Sequence, residues 1–292
     1  MTGIFSGSIT AMITPFKDGK VNFETLGKLI DYQIEGGTDA LVILGTTGEP
    51  STMTETEKEE TILYSIEHAA GKIKIIVGVG SNDTLKAVCA AQRAEKSGAD
   101  GVIAVTPYYN KCTQTGIFEY YRAICKATKL PVIAYNVPAR TGVNITPETA
   151  EKLTELANLA GIKEASGNMA QVCETARRVR GKIDIFSGED ALNLPILAIG
   201  GAGMISVVSN IVPKQVKEVY TLVKKGDYGK ANKLQDSLLP LINACFIEVN
   251  PIPVKAACNM LGFDAGIPRP PLTELEEEHK KILFDELKKA VK

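Results

Sequence analysis

The chain of 292 residues contains only two histidines, His68 and His279, each set in a charged helical pattern. Two isolated imidazoles offer too little convergence for a histidine metal cluster or a Ser-His-Asp triad. Its six cysteines (Cys89, Cys112, Cys125, Cys173, Cys245 and Cys258) form no C-x-x-C pair. In a chain of this length they read as reduced, mostly buried thiols of a cytoplasmic protein, and a disulfide framework is disfavoured. Charge of one sign is missing as well. With 33 basic residues against 34 acidic ones, the net charge is -1, so no field draws the chain to nucleic acid or an anionic membrane. Met1 to Thr10 lacks a basic segment followed by an apolar one, so no signal peptide is expected. The stretch between Asp190 and Lys214 carries no charge and is long enough to span a bilayer. Pro195, Gly200, Gly201 and Gly203 interrupt it, and Ser206, Ser209 and Asn210 make it polar. A short helix, a tight turn and a buried strand are predicted there instead.

What is present is a globular composition, 45% hydrophobic and 23% charged, which argues against disorder. Short apolar runs alternate with amphipathic segments. The runs are Ser8–Phe16, Ala40–Gly45, Ile73–Gly80, Val102–Pro107, Pro131–Val137, Ala160–Ala165, Ile183–Gly188 and Met204–Ser209. Most are continuously apolar and β-branched, as strands buried on both faces are. Helical patterns follow them. One opens with the capping box Thr54-x-x-Glu57, and another with Thr146 as cap and Pro147 in the first turn. Eight consecutive β-then-α units predict an α/β protein with a (β/α)₈ TIM barrel, the rival being an open doubly wound sheet. The expected division is a barrel domain over residues 1–225 and a C-terminal helical region of about three helices over 226–292. In the last of these, Glu276 with Lys280 and Glu277 with Lys281 are expected as i,i+4 pairs on a solvated face.

Barrel active sites stand at the C-terminal ends of strands, so the strand ends hold the candidates. Lys163 lies inside an apolar run, where a lysine is rarely buried without a reason. An unperturbed lysine of pKa ~10.4 has about one amine in ~2500 neutral at pH 7, and burial raises that fraction. A neutral amine attacks a carbonyl to form a Schiff base. The alternative is a structural lysine, paired with an acid such as Glu164 or reaching solvent. Tyr135 ends the preceding strand, ~4.8 Å away, close enough for its hydroxyl to serve as a proton relay. Thr46 and Tyr109 supply further hydroxyls at the same barrel face; Tyr108 and Tyr109 equally suit a packed aromatic pair. Arg140, on a loop bounded by proline and glycine, either binds a carboxylate through two parallel hydrogen bonds or is an ordinary surface arginine. The backbone of Thr46-Thr47-Gly48 either cradles a second carboxylate or simply turns the chain. Gly200-Gly201-Ala202-Gly203 has no Walker or Rossmann spacing and reads as a turn rather than a phosphate site. An amine, hydroxyls and one arginine, without a metal cluster, suit imine chemistry on a 2-oxo acid.

Five ordered segments then carry a resemblance: Gly45-Thr46-Thr47-Gly48-Glu49, Thr106-Pro107-Tyr108-Tyr109-Asn110, Tyr135-Asn136-Val137-Pro138-x-Arg140-Thr141-Gly142, Gly161-Ile162-Lys163-Glu164-Ala165 and Asn250-Pro251-Ile252-Pro253-Val254-Lys255. From about Gly7 to about Gly262 the chain resembles the dihydrodipicolinate synthases, within the wider family of Schiff-base lyases that includes N-acetylneuraminate lyase. The resemblance implies condensation of pyruvate with L-aspartate 4-semialdehyde to 4-hydroxy-tetrahydrodipicolinate, a step toward diaminopimelate and lysine. It implies Lys163 as the Schiff-base lysine and Tyr135, Thr46 and Tyr109 as the proton relay, with Tyr109 shared across a tight dimer. Thr47 and Arg140 bind the carboxylates of pyruvate and of the semialdehyde, and Gly188 and Ile205 line the lysine pocket. No metal and no cofactor is implied, and the expected form is a cytoplasmic homotetramer, a dimer of dimers. Arg140 disfavours the runner-up, an aldolase for 2-oxo sugar acids like N-acetylneuraminate lyase or 2-keto-3-deoxy-gluconate aldolase. One departure bears on regulation. Relatives inhibited by lysine hold it with polar and acidic groups, whereas the matching positions here are Pro50, Ser51, Glu55, Lys58, Asn82, Lys86 and Tyr108. Lys86 sets a cation where an acid is needed, so feedback by lysine is expected to be weak or absent.

Overall fold

The computed structural model describes residues 2–291. Eight strands form a closed parallel barrel in sequential order: β1 (Gly7–Ala11), β2 (Ala40–Ile43), β3 (Lys74–Gly78), β4 (Gly101–Val105), β5 (Val132–Asn136), β6 (Leu159–Glu164), β7 (Asp184–Ser187) and β8 (Gly203–Ser206). This is the (β/α)₈ barrel that the eight apolar runs predict, and the doubly wound alternative falls. A hairpin of Phe16–Lys17 and Lys20–Val21 follows β1.

By internal contacts the chain divides into two compact units, Met1–Ser6 with Ile75–Ile205 and Gly7–Lys74 with Ser206–Lys292. In the first unit, β3 through β8 pair in parallel, each with the next. Valine, isoleucine and alanine dominate β3, β4 and β5, and nearly all the apolar residues of the six strands are buried because helices cover the sheet. Tyr121, fully buried, donates through its hydroxyl to Ala104 O at 2.9 Å and accepts from Tyr135 N at 3.3 Å. One phenol from a helix thereby ties the ends of β4 and β5. Gly161 in β6 is required by packing, since a Cβ there would stand 2.7 Å from Phe186 Cε2.

In the second unit, β1 pairs with β2. Helix Phe23–Glu35 begins at Asn22, whose side chain accepts from Thr25 N, and stops at Gly36 and Gly37. Helix Glu55–Ala69 begins at the capping box, with both reciprocal hydrogen bonds formed. Three helices follow residue 226: Tyr228–Ala244, Ile252–Met260 and Glu277–Ala290.

Local readings hold in the charge-free stretch, where helix Asn193–Ala198 turns at Gly200 (φ 102°) into β8. Among the described residues no helix is long and apolar enough to cross a membrane. Two expectations fail. The cysteines are not mostly buried: Cys89 and Cys173 are exposed, Cys112 and Cys125 half-buried, and only Cys245 and Cys258 enclosed, though all six are free. Cys89, Cys125 and Cys173 lie on helix flanks turned partly outward, where the 3.6-residue period leaves one side of each helix wet, and Cys112 lies in the loop before helix Gln114–Ala127. The i,i+4 pairs on the last helix also give way. Glu276 is the residue before its first turn, and Lys280 pairs instead with Glu277 at 2.6 Å and Glu274 at 3.7 Å.

Candidate active site

Lys163 occupies the penultimate position of β6, 5% exposed. In the parallel register it stands opposite Tyr135 of β5, so both side chains leave the sheet on one face. The Lys163 amine lies 4.3 Å from the centroid of the Tyr135 ring. The amine lies over the ring face, whose negative quadrupole attracts a cation. Glu164 does not pair with the lysine. Being the next residue along a strand it points to the opposite face, where its carboxylate accepts from Asn136 Nδ2 and Ser166 N. Reading Lys163 as one half of a Lys163–Glu164 pair is thereby excluded.

Burial pushes the Lys163 amine down to about 8, against a pull upward from the Asp190 carboxylate and a further push downward from the Arg140 guanidinium. At pH 7 roughly one amine in ten is therefore neutral, against one in ~2500 for a free lysine. Burial pushes the Tyr135 phenol up to about 12, with Arg140 opposing. That phenol stays protonated at neutral pH, able to give a proton and take it back.

Gly188 follows β7 and meets the lysine stem directly: a Cβ there would lie 2.9 Å from both Lys163 Cε and Cγ. Only glycine leaves the amine its path. Ile205 lies buried in β8. Arg140 sits on the short helix Pro138–Thr141 after β5, exposed, ended by Gly142 in the left-handed region. The unit also holds a residue to which sequence reading gave no role. Asp190, buried just past β7, accepts from Asn193 Nδ2 at 3.1 Å and is the acid whose field reaches Lys163. Its sequence signal was its place at the end of a strand, immediately before the long charge-free stretch.

Thr46 and Thr47 belong to the second unit, on a single 3-10 turn, Thr46–Gly48, that follows β2. Thr47 is buried and its hydroxyl accepts from Asn250 Nδ2 at 2.9 Å. The turn ends at Glu49, which has φ 55°. Glu49 and Lys255 form an ion pair of 2.8 Å with side chains 3% and 0% exposed. Arg269 N also donates to Glu49, at 2.9 Å, and the Arg269 guanidinium binds Glu57. The stretch Asn250–Lys255 thus holds the threonine turn from two sides. This second function of the motif was not legible, because its partners stand some two hundred positions away.

Tyr109 is 91% exposed at φ 68°, and Tyr108 is exposed too, so the packed aromatic pair does not form. Of the positions matched to effector binding, Lys58 is paired with Glu55 at 2.7 Å, and Asn82 gives its carbonyl to Asn110 Nδ2. One group of potential metal ligands occurs among the described residues: Glu248, Glu276 and His279. Glu248 Oε1 already accepts from His279 Nδ1 at 2.7 Å and from Glu276 N at 2.9 Å, which anchors the start of the last helix.

Comparison with known proteins adds the following. The model of the dihydrodipicolinate synthetase family matches residues 4–290. A 4-hydroxy-tetrahydrodipicolinate synthase of Caldicellulosiruptor bescii is 51% identical over 281 residues, covering 96% of this chain and 95% of its own. The crystal structure of a dihydrodipicolinate synthase from Thermotoga maritima superposes with a TM-score of 0.97 at 43% identity, over 99% of each chain. A structure described as a monomeric dihydrodipicolinate synthase variant gives the same TM-score and identity, over 99% of this chain and 97% of its own.

Proposed function

The chain belongs to the dihydrodipicolinate synthetase family and carries out the lyase reaction for which its relatives are named, and we propose that it does so through a Schiff base on Lys163. Pyruvate and L-aspartate 4-semialdehyde are the substrates, and 4-hydroxy-tetrahydrodipicolinate, a precursor of diaminopimelate and lysine, is the product. The observation that carries the lysine's role is a buried amine held at about 8 against a phenol ring.

The neutral Lys163 amine attacks C2 of pyruvate, and loss of water leaves an iminium. Removal of a C3 proton gives the enamine, whose C3 bonds to the aldehyde carbon of the semialdehyde. The new alkoxide takes a proton. The semialdehyde's own amine then attacks C2 and displaces Lys163, closing the ring. One water is released overall. In this reading Tyr135, Thr46 and Tyr109 relay the protons, Thr47 receives the pyruvate carboxylate, Arg140 the semialdehyde carboxylate, and Gly188 and Ile205 shape the lysine pocket. The pinned Thr47 and the bare Gly188 support those two assignments.

The proposed working form is a cytoplasmic homotetramer built from tight dimers. A tyrosine 91% exposed on a left-handed residue supports a partner reaching Tyr109. Residues 1–225 are proposed as the catalytic barrel and 226–292 as a helical region that serves it. The tie from Lys255 to Glu49 supports that division of labour.

The test offers pyruvate with either L-aspartate semialdehyde or a sugar-derived aldehyde. Turnover with the semialdehyde alone is expected; turnover with the sugar aldehyde alone would make the chain a sugar-acid aldolase.

A further inference from the structure

The same two strands that carry Tyr135 and Lys163 carry a second matched pair one residue later. Asn136 of β5 stands opposite Glu164 of β6. Because strand side chains alternate, this pair lies on the other face of the sheet from the lysine and the phenol. Both residues are buried. Asn136 Nδ2 reaches both carboxylate oxygens of Glu164, at 3.1 and 3.2 Å. Glu164 Oε1 also accepts from Ser166 N at 2.9 Å, which fixes the chain just beyond β6. Among the described residues its hydrogen-bond donors are the neutral Asn136 and Ser166, and burial pushes its carboxyl up. An acid kept under those terms is expensive unless its hydrogen bonds do something a neutral residue would not.

The bonds continue toward Arg140. Asn136 Oδ1 accepts from Ile145 N at 2.9 Å. Asn136 Nδ2 also donates to Asn144 Oδ1 at 2.9 Å, and Asn144 exchanges bonds with Gln171 at 2.8 and 3.1 Å. The segment 142–145, which leaves the Arg140 helix, is thus tied to the ends of both strands through one amide.

We propose that Glu164 and Asn136 form a positioning clamp that sets the separation of Lys163 from Tyr135 and the seat of Arg140, with Glu164 acting through its neighbours and touching no substrate. The clamp rests on the Schiff-base reading only for its catalytic consequence. Its mechanical part stands alone: the carboxylate holds the Asn136 amide, and the amide holds both β6 and residues 144 and 145. A misplacement on the order of 1 Å of a reacting group costs roughly 10²-fold in rate.

The experiment compares Glu164→Gln with the double variant Asn136→Asp/Glu164→Gln, which restores the 136–164 pair with its polarity reversed and keeps the acceptor for Ile145 N, at the loss of the donor to Asn144 Oδ1. Three measurements are made on folded protein: kcat for turnover, the rate of borohydride trapping with pyruvate, and amide hydrogen exchange of the peptide covering residues 136–145. Glu164→Gln is expected to lower kcat by roughly 10²-fold, slow trapping, and speed exchange at residues 144 and 145. The double variant is expected to recover about ten-fold or more of the lost rate, since coupled neighbours are non-additive. The proposal is overturned if Glu164→Gln matches the parent in rate and exchange. It is equally overturned if activity falls only with the folded fraction, or if the double variant is worse than the single one. Absence of a pyruvate adduct in the parent protein refutes the Schiff-base reading instead. The clamp is then decided by exchange alone, faster exchange supporting it and unchanged exchange overturning it.

Discussion

The Lys163 amine rests 4.3 Å from the centre of the Tyr135 ring, on side chains that face each other across one rung of parallel sheet. The ring accounts for the lysine's packing, the proposed mechanism assigns the chemistry to the hydroxyl, and the two are separable. Tyr135→Phe keeps the ring, so its melting temperature is expected to stay close to the parent's and pyruvate trapping on Lys163 to persist. Turnover falls by roughly 10²–10⁴-fold, the usual weight of a general acid-base group. Wild-type turnover in this variant would remove Tyr135 from the relay.

Two charges act on Lys163 in opposite senses, which makes a signed pair of predictions. The Asp190 carboxylate raises the amine's pKa and the Arg140 guanidinium lowers it, both against a larger downward push from burial. The rate of pyruvate trapping rises with pH through about 8 as the amine loses its proton. Asp190→Asn is expected to move that rise to lower pH, and Arg140→Ala to higher pH. Shifts in the same direction would contradict the electrostatic assignment.

Arg140→Ala also tests substrate recognition. Loss of the guanidinium is expected to cut turnover of aspartate semialdehyde far more than trapping of pyruvate at saturating pH, because a bidentate partner for one carboxylate is gone. Equal losses in both assays would deny the arginine its assigned carboxylate.

Lys163 is costly to the fold. Its amine holds a proton less tightly in the folded chain, about 8, than at its ordinary 10.5. Stability is therefore fully present above 10.5 and is lost as pH falls through that window toward 8. The cost at neutral pH is roughly 3 kcal/mol at 1.36 kcal/mol per pH unit. Lys163→Met is expected to abolish trapping and to raise the melting temperature at pH 7, with the gain shrinking as pH approaches 10.5. A variant that melts lower at pH 7 would contradict the desolvation argument.

The pair of Glu49 and Lys255 behaves in the opposite way. Removing one member of a buried ion pair strands the other charge, at about 3–5 kcal/mol. Lys255→Met is expected to lower stability by that order and to weaken pyruvate binding through the Thr46–Gly48 turn. Glu49→Gln/Lys255→Met should be less damaging than the single change, as read by denaturant unfolding.

How much of this the chain disclosed in advance follows from the range of each interaction. The barrel was legible because its strands sit in short, mostly apolar runs, each with a helical pattern behind it, and such patterns are local. Lys163 was legible because one charge in an apolar run is conspicuous. Its place over the face of the Tyr135 ring depended on side-chain rotamers that no spacing encodes. The pull of Asp190 on Lys163 is not legible in the sequence because it arises only once β6 and β7 lie side by side. The pairing of Glu49 with Lys255 was hidden by the 206 positions between them. The exposure of Cys89 and Cys173 follows from their helix face, which residue type alone does not encode.

The measurement that bears most directly on all of this is reduction with borohydride in the presence of pyruvate, followed by peptide mapping by mass. Attack of an amine on pyruvate, loss of water and gain of two hydrogens adds about 72 Da. The account predicts that increment on the peptide bearing Lys163, once per chain and dependent on pyruvate. Unmodified Lys163, or an adduct on any other lysine, would contradict it.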